Sequence, residues 1–185
     1  MGRGAVPGAR ERTLVVCAAF DPALEGALAR VRRDLRAAGV RAPAAPRHRA
    51  HLTLLGAACP PAGTAAFTAA VAAAAAALPA VGVVLDEAGT FGRGAVLWAG
   101  CRQDEALRAW HADAAEALAA QGLDNAFATS APGRWVPHCT LARRVRAAQA
   151  VPALQDLLPV AGRVEALAVV EVGGTGDLAL APLAG

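Results

Sequence analysis

Trp135-Val136-Pro137-His138-Cys139-Thr140-Leu141-Ala142-Arg143 contains a His-x-Thr-Leu tetrapeptide that recurs at His51-Leu52-Thr53-Leu54. The two copies use two of the four histidines in a chain of 185 residues. Successive side chains of a β-strand point to opposite faces. Read as strands, the segments place His51 with Thr53, and His138 with Thr140, on a polar face. Leu52, Leu54, Cys139 and Leu141 fall on the apolar face. Two imidazoles brought together across one cleft would form a general acid–base pair, with hydroxyl donors beside them.

The surroundings of the two copies also repeat. Residues 13–20 read as a buried strand, and Asp21-Pro22 then supplies a cap and a proline suited to the first helical position. Leu24, Leu28, Val31 and Leu35 form an apolar stripe, while Arg30, Arg32, Arg33 and Arg36 crowd the C-terminal half of the helix, where they complement its dipole, and Gly39 offers a stop. A strand over 50–57 carries the first motif, and a helix over 64–78 follows. In the second half, 95–101 is the expected strand. The helix runs from the Asp104 cap through Leu107, Trp110, Ala114 and Leu118 to Gly122, and 135–143 is the strand with the second motif. The pattern predicts a duplicated strand–helix–strand unit. Further elements are expected near 81–87 (strand), 149–158 (helix), 163–172 and 177–181 (strands), the last two joined by a Gly173-Gly174-Thr175-Gly176 turn. This mixture predicts an α+β fold of two lobes. Pseudo-symmetric antiparallel sheets with flanking helices would enclose a central cleft. Residues 1–12 read as a flexible N-terminal tail and 13–185 as one two-lobed domain.

Composition narrows the classes. With 56% hydrophobic and 18% charged residues the chain is globular, and its net charge is only +3. All 18 basic residues are arginine, a choice that codon bias in a GC-rich genome explains but that also suits phosphate ligands. Cys17, Cys59, Cys101 and Cys139 form no C-x-x-C pair, so buried thiols are expected rather than a zinc or redox site. No carboxylate or third histidine adjoins either motif, and the expectation is a site without metal or cofactor. The N-terminus shows no apolar leader, so a cytoplasmic location is expected. The long uncharged stretch after His51 reads as a strand and a buried helix broken by prolines, not a membrane span.

The paired motifs, the Phe91-to-Leu107 stretch containing Val96-Leu97-Trp98-Ala99-Gly100, and the Trp135–Arg143 segment resemble the 2H phosphoesterase superfamily. The similarity is to its LigT-like branch of bacterial RNA 2′,3′-cyclic phosphodiesterases, also called 2′-5′ RNA ligases. The resemblance implies metal-independent opening of a 2′,3′-cyclic phosphate to a 2′-phosphomonoester, with His51 and His138 as acid and base. It also implies Thr53, Thr140 and Arg143 as phosphate ligands, and Trp135 and Phe91 as walls of the nucleotide pocket. Partners would be an RNA 3′ end or a small cyclic nucleotide, including a cyclic phosphate on ADP-ribose. A non-catalytic module that binds the same groups is the competing class. No membrane and no obligate protein partner is expected, and the chain reads as a monomer.

Strict alternation puts Arg143 opposite His138, so it reaches the cleft only if its strand ends or bulges first. Cys139 points to the core and is not expected to act as a nucleophile. His48 and His111 are expected to face solvent, and Trp98 and Trp110 to serve packing.

Overall fold

The computed structural model describes residues 11–92 and 96–184. Its strands are β1 (Arg12–Phe20), β2 (His51–Cys59), β3 (Val81–Leu85), β4 (Glu87–Phe91), β5 (Val96–Gly100), β6 (His138–Arg143), β7 (Val160–Glu171) and β8 (Ala179–Pro182). Its α-helices are α1 (Pro22–Ala37), α2 (Thr64–Ala75), α3 (Glu105–Ala120) and α4 (Ala147–Gln155). The strands form two antiparallel sheets. One runs β2-β1-β7-β3, with β8 also paired to β7, and the other runs β4-β5-β6. The expected α+β architecture is thus observed, and each motif strand pairs with the strand before its helix: β2 with β1 across α1, β6 with β5 across α3.

Local chemistry sets these elements. Asp21 caps α1 by accepting from the Leu24 amide at 2.7 Å, and its other oxygen accepts the Arg163 amide, which ties the helix start to β7. Gly39, at φ 79°, ends the helix in the left-handed region, and Val40 N–H closes back on the Leu35 carbonyl. The apolar stripe Leu24, Leu28, Val31 and Leu35 is buried in a core that also takes Leu14, Leu52, Leu54, Trp110, Cys139 and Leu141. A smaller apolar cluster, Val15, Cys17, Ala19, Ala166, Ala168 and Val170, lies on the opposite face of the larger sheet, with Phe127 packed against it.

Several boundaries depart from expectation. The strand expected over 81–87 is two strands in different sheets: β3 joins β7, while β4 joins β5. β4, Glu-Ala-Gly-Thr-Phe, lacks the β-branched run that marks a strand, and only pairing with β5 defines it. Ala95 lies outside the described residues, as do residues 1–10 of the tail expected over 1–12, and Arg12 already opens β1. No helix among the described residues is long and apolar enough to cross a membrane.

Candidate active site

Both motif strands carry the same irregularity at the same place. In β2, Thr53 pairs with Cys17 and Leu55 with Val16, so Leu54 is an extra residue. In β6, Thr140 pairs with Trp98 and Ala142 with Leu97, so Leu141 is extra. Each β-bulge lets two consecutive apolar residues face the core, Leu54 with Leu55 and Leu141 with Ala142. The alternation then resumes one residue late. Arg143 is thereby returned to the face of His138 and Thr140, which satisfies the condition its sequence position imposed. The matching position after the first bulge is Gly56. A Cβ there would lie 2.3 Å from the Phe127 ring, so the first lobe seats an aromatic cover where the second presents a cation.

The faces of β2 and β6 meet in a cleft of about 1020 Å³ lined by His51, Thr53, His138, Thr140 and Arg143. Both imidazoles are held alike. Each Nδ1 lies 2.8 Å from a carbonyl two residues upstream, Arg49 for His51 and Val136 for His138. A carbonyl can only accept, so each Nδ1 carries the proton and donates it, and Nε2 is the nitrogen left for chemistry. Burial pushes the His51 pKa below its ordinary value, and positive charge on His48, Arg32 and His138 pushes the same way. Burial also lowers that of His138, with Arg143 adding to it.

Besides Arg143, the cleft holds six arginines that sequence reasoning did not assign to it: Arg32, Arg36, Arg41, Arg47, Arg49 and Arg144 line it, and among the described residues none of the lining is acidic. Arg49 is pinned by Glu25 at 3.1 Å and Asp177 at 2.7 Å. Arg144 stands at φ 56°, in the left-handed region that non-glycine residues rarely occupy. For Arg32 a signal did exist: it lies four residues after Leu28 and three before Leu35, inside the apolar stripe. His48, expected in solvent, is half-buried on the cleft wall with Nδ1 3.0 Å from the Gly176 carbonyl. That contact, with Arg47 on Gly173, seats the glycine turn between β7 and β8 against the site loop.

The aromatic residues change places relative to expectation. Phe91 is 37% exposed and meets the His138 ring edge-on at 4.8 Å. Trp98, expected only to pack the core, shares that face: its ring lies 5.2 Å from Phe91 and 6.4 Å from His138, across Gly89, where any Cβ would collide with the indole. Trp135 is no pocket wall. It is buried, and its Nε1 donates to the Thr53 carbonyl at 2.7 Å, locking the approach to β6 onto β2. His111, expected in solvent, is 2% exposed and stacks flat on Trp135 at 4.1 Å, because α3 packs its inner face behind the first motif. Cys139 is fully buried and burial raises its pKa, so it is no nucleophile. All four cysteines are free and buried. Among the described residues no three His, Cys, Asp or Glu side chains group as a metal site would need.

A family model described as the 2′-5′ RNA ligase superfamily matches residues 20–176. Solved structures share the fold. E. coli LigT in its apo form is 20% identical, with 95% of this chain and 99% of that chain covered and a TM-score of 0.63. The protein TT0787 of Thermus thermophilus is 22% identical, with 94% and 98% covered and a TM-score of 0.61. E. coli LigT complexed with 3′-AMP is 22% identical, with 95% and 100% covered and a TM-score of 0.57. A search of curated proteins finds no match to this chain.

Proposed function

This chain belongs to the 2′-5′ RNA ligase superfamily, the LigT-like 2H phosphoesterases, and from that premise we propose that it hydrolyses a 2′,3′-cyclic phosphodiester at an RNA 3′ end to a 2′-phosphomonoester. The observation that carries this reading is the matched pair of imidazoles on one cleft, each with Nδ1 tied to its own backbone and Nε2 left over. One neutral Nε2 takes a proton from the attacking water. As the new P–O bond forms and the bond to O3′ breaks, the other imidazole, protonated, gives its proton to O3′. Thr53 and Thr140 donate their hydroxyls to the non-bridging oxygens, and Arg143 balances the charge gathering there. Nothing in this sequence of steps calls for a metal. Phe91 and Trp98 form an aromatic shelf beside His138 on which the terminal base stacks.

The arginine lining favours an RNA end over a free nucleotide, since one cyclic phosphate needs far fewer cations than the cleft supplies. A small cyclic nucleotide is the second reading, supported by the E. coli LigT structures complexed with 3′-AMP and with NADP+. Turnover of a 2′,3′-cyclic mononucleotide and of an oligonucleotide with the same end, both in EDTA, tests the proposal. His51→Ala and His138→Ala are each expected to lose about 10²–10⁴-fold in kcat. Undiminished turnover in either variant, or dependence on added metal, would overturn it. Binding that survives both substitutions with no product formed would assign the cleft to a non-catalytic module.

A further inference from the structure

Among the described residues, Arg32 is the one arginine of the cleft that is buried, at 7% exposure. It projects from α1 toward β6 and lines the cleft together with the residues of both motifs. Its Nη2 donates to the Thr140 carbonyl at 3.3 Å, its Nε is buried without an acceptor, and its charge reaches the His51 ring. No carboxylate lies within ion-pair distance of it among the described residues. A guanidinium cannot shed its proton to relieve this. A buried charge without a partner therefore costs the fold stability, as breaking a buried ion pair does. The neighbouring arginines differ in this respect: Arg49 has two carboxylates, and Arg41 and Arg143 stand in water.

We propose that Arg32 is an anion-binding residue whose counter-charge arrives with the ligand: a phosphate group seated between the His-x-Thr strands completes the ion pair that the folded chain lacks. The inference rests on the reading of this cleft as a phosphate-ester site, and it adds a cation that belongs to neither motif. It also implies that the empty protein gives up stability to keep the charge in place.

Inorganic phosphate serves as the probe, with melting temperature and titration calorimetry as readouts that involve no turnover. Arg32→Met keeps the length of the stem and removes the charge. It is expected to melt at or above the wild-type temperature in phosphate-free buffer, and to lose the rise in melting temperature that phosphate gives the wild type. Its Kd for phosphate should rise roughly tenfold or more. Arg32→Lys, which keeps a charge but not the planar fork, should fall between. Arg41→Gln, on the same cleft but exposed, should weaken binding only slightly. The inference is overturned if phosphate stabilises Arg32→Met as much as the wild type, if it stabilises neither, or if Arg41→Gln loses as much affinity. Should Arg32→Met not fold, unaltered phosphate affinity in Arg32→Lys together with a lower melting temperature overturns it, leaving a bridge to β6. Arg32-dependent phosphate binding without hydrolysis would keep this inference and remove the proposed reaction.

Discussion

His51 and His138 titrate below the ordinary imidazole value of 6.5, with burial as the first cause in both. At neutral pH both rings of the empty site are therefore mostly neutral, yet general acid catalysis needs one of them charged. The fraction of enzyme with one protonated and one neutral ring grows as pH falls toward the lowered values. kcat/KM is expected to peak on the acid side of 6.5. A bound phosphate brings negative charge beside both rings and raises their pKa values, so the kcat profile should lie at higher pH than that of kcat/KM. Steady-state profiles from about pH 4 to about pH 9 check this, and coincident curves would count against phosphate contact with the rings. The two histidines and two threonines were legible in the sequence because alternation along a strand is a property of the local backbone. Arg32 and His111 carried only a partial mark: each lies on the apolar stripe of its helix, but whether a polar residue there is solvated or buried depends on what packs against it.

The strands position these groups through a shared defect. A regular β6 would have turned Arg143 into the core, where an unpaired guanidinium is costly, and the bulge at Leu141 removes that conflict. The equivalent bulge at Leu54 makes the two motif strands copies in geometry as well as in sequence. What joins them is Trp135, whose indole spans from the segment before β6 to the Thr53 carbonyl while His111 covers its face. Trp135→Phe keeps the stacking and removes the hydrogen bond. It is expected to cost about 1 kcal/mol in urea unfolding. Because the Thr53 carbonyl then loses its tie to the segment before β6, kcat should fall several-fold, with about tenfold an upper guide, while KM changes less. An unchanged kcat at reduced stability would make the link purely architectural. A β-bulge leaves no mark in a hydrophobic pattern this short, so Arg143 could be placed only once the pairing with β5 was known.

Over the whole molecule, charge is segregated rather than abundant. The net value of +3 suggests little attraction for a polyanion, yet among the described residues seven arginines and no carboxylate line one cleft. Glu25 and Asp177 offset Arg49, while the other cleft arginines have no carboxylate partner among the described residues and keep the local field positive. Salt should therefore raise KM for an oligonucleotide ending in a cyclic phosphate more steeply than for the cyclic mononucleotide, with kcat nearly constant. Each further phosphate held by the arginines adds roughly 0.7 to the slope of log KM against log salt. Equal slopes for the two substrates would show that the cleft grips only the reacting phosphate. The two-lobed plan was visible in the repeat of strand, helix and motif strand. The division of residues 81–91 between two sheets was not, since β3 and β4 are neighbours in the chain but find their partners, β7 and β5, at a distance.

By itself the sequence determined the chemistry available, two imidazoles each with a hydroxyl neighbour on a strand, and the order of elements that carries them. Those follow from spacing within a few residues, where backbone geometry leaves little choice. The tertiary structure decided which side chains join that pair: Arg143 through a bulge, Trp98 and Phe91 through sheet register, Arg32 through the docking of α1. Each of these depends on contacts between segments far apart in the chain, and no local pattern encodes which surfaces meet.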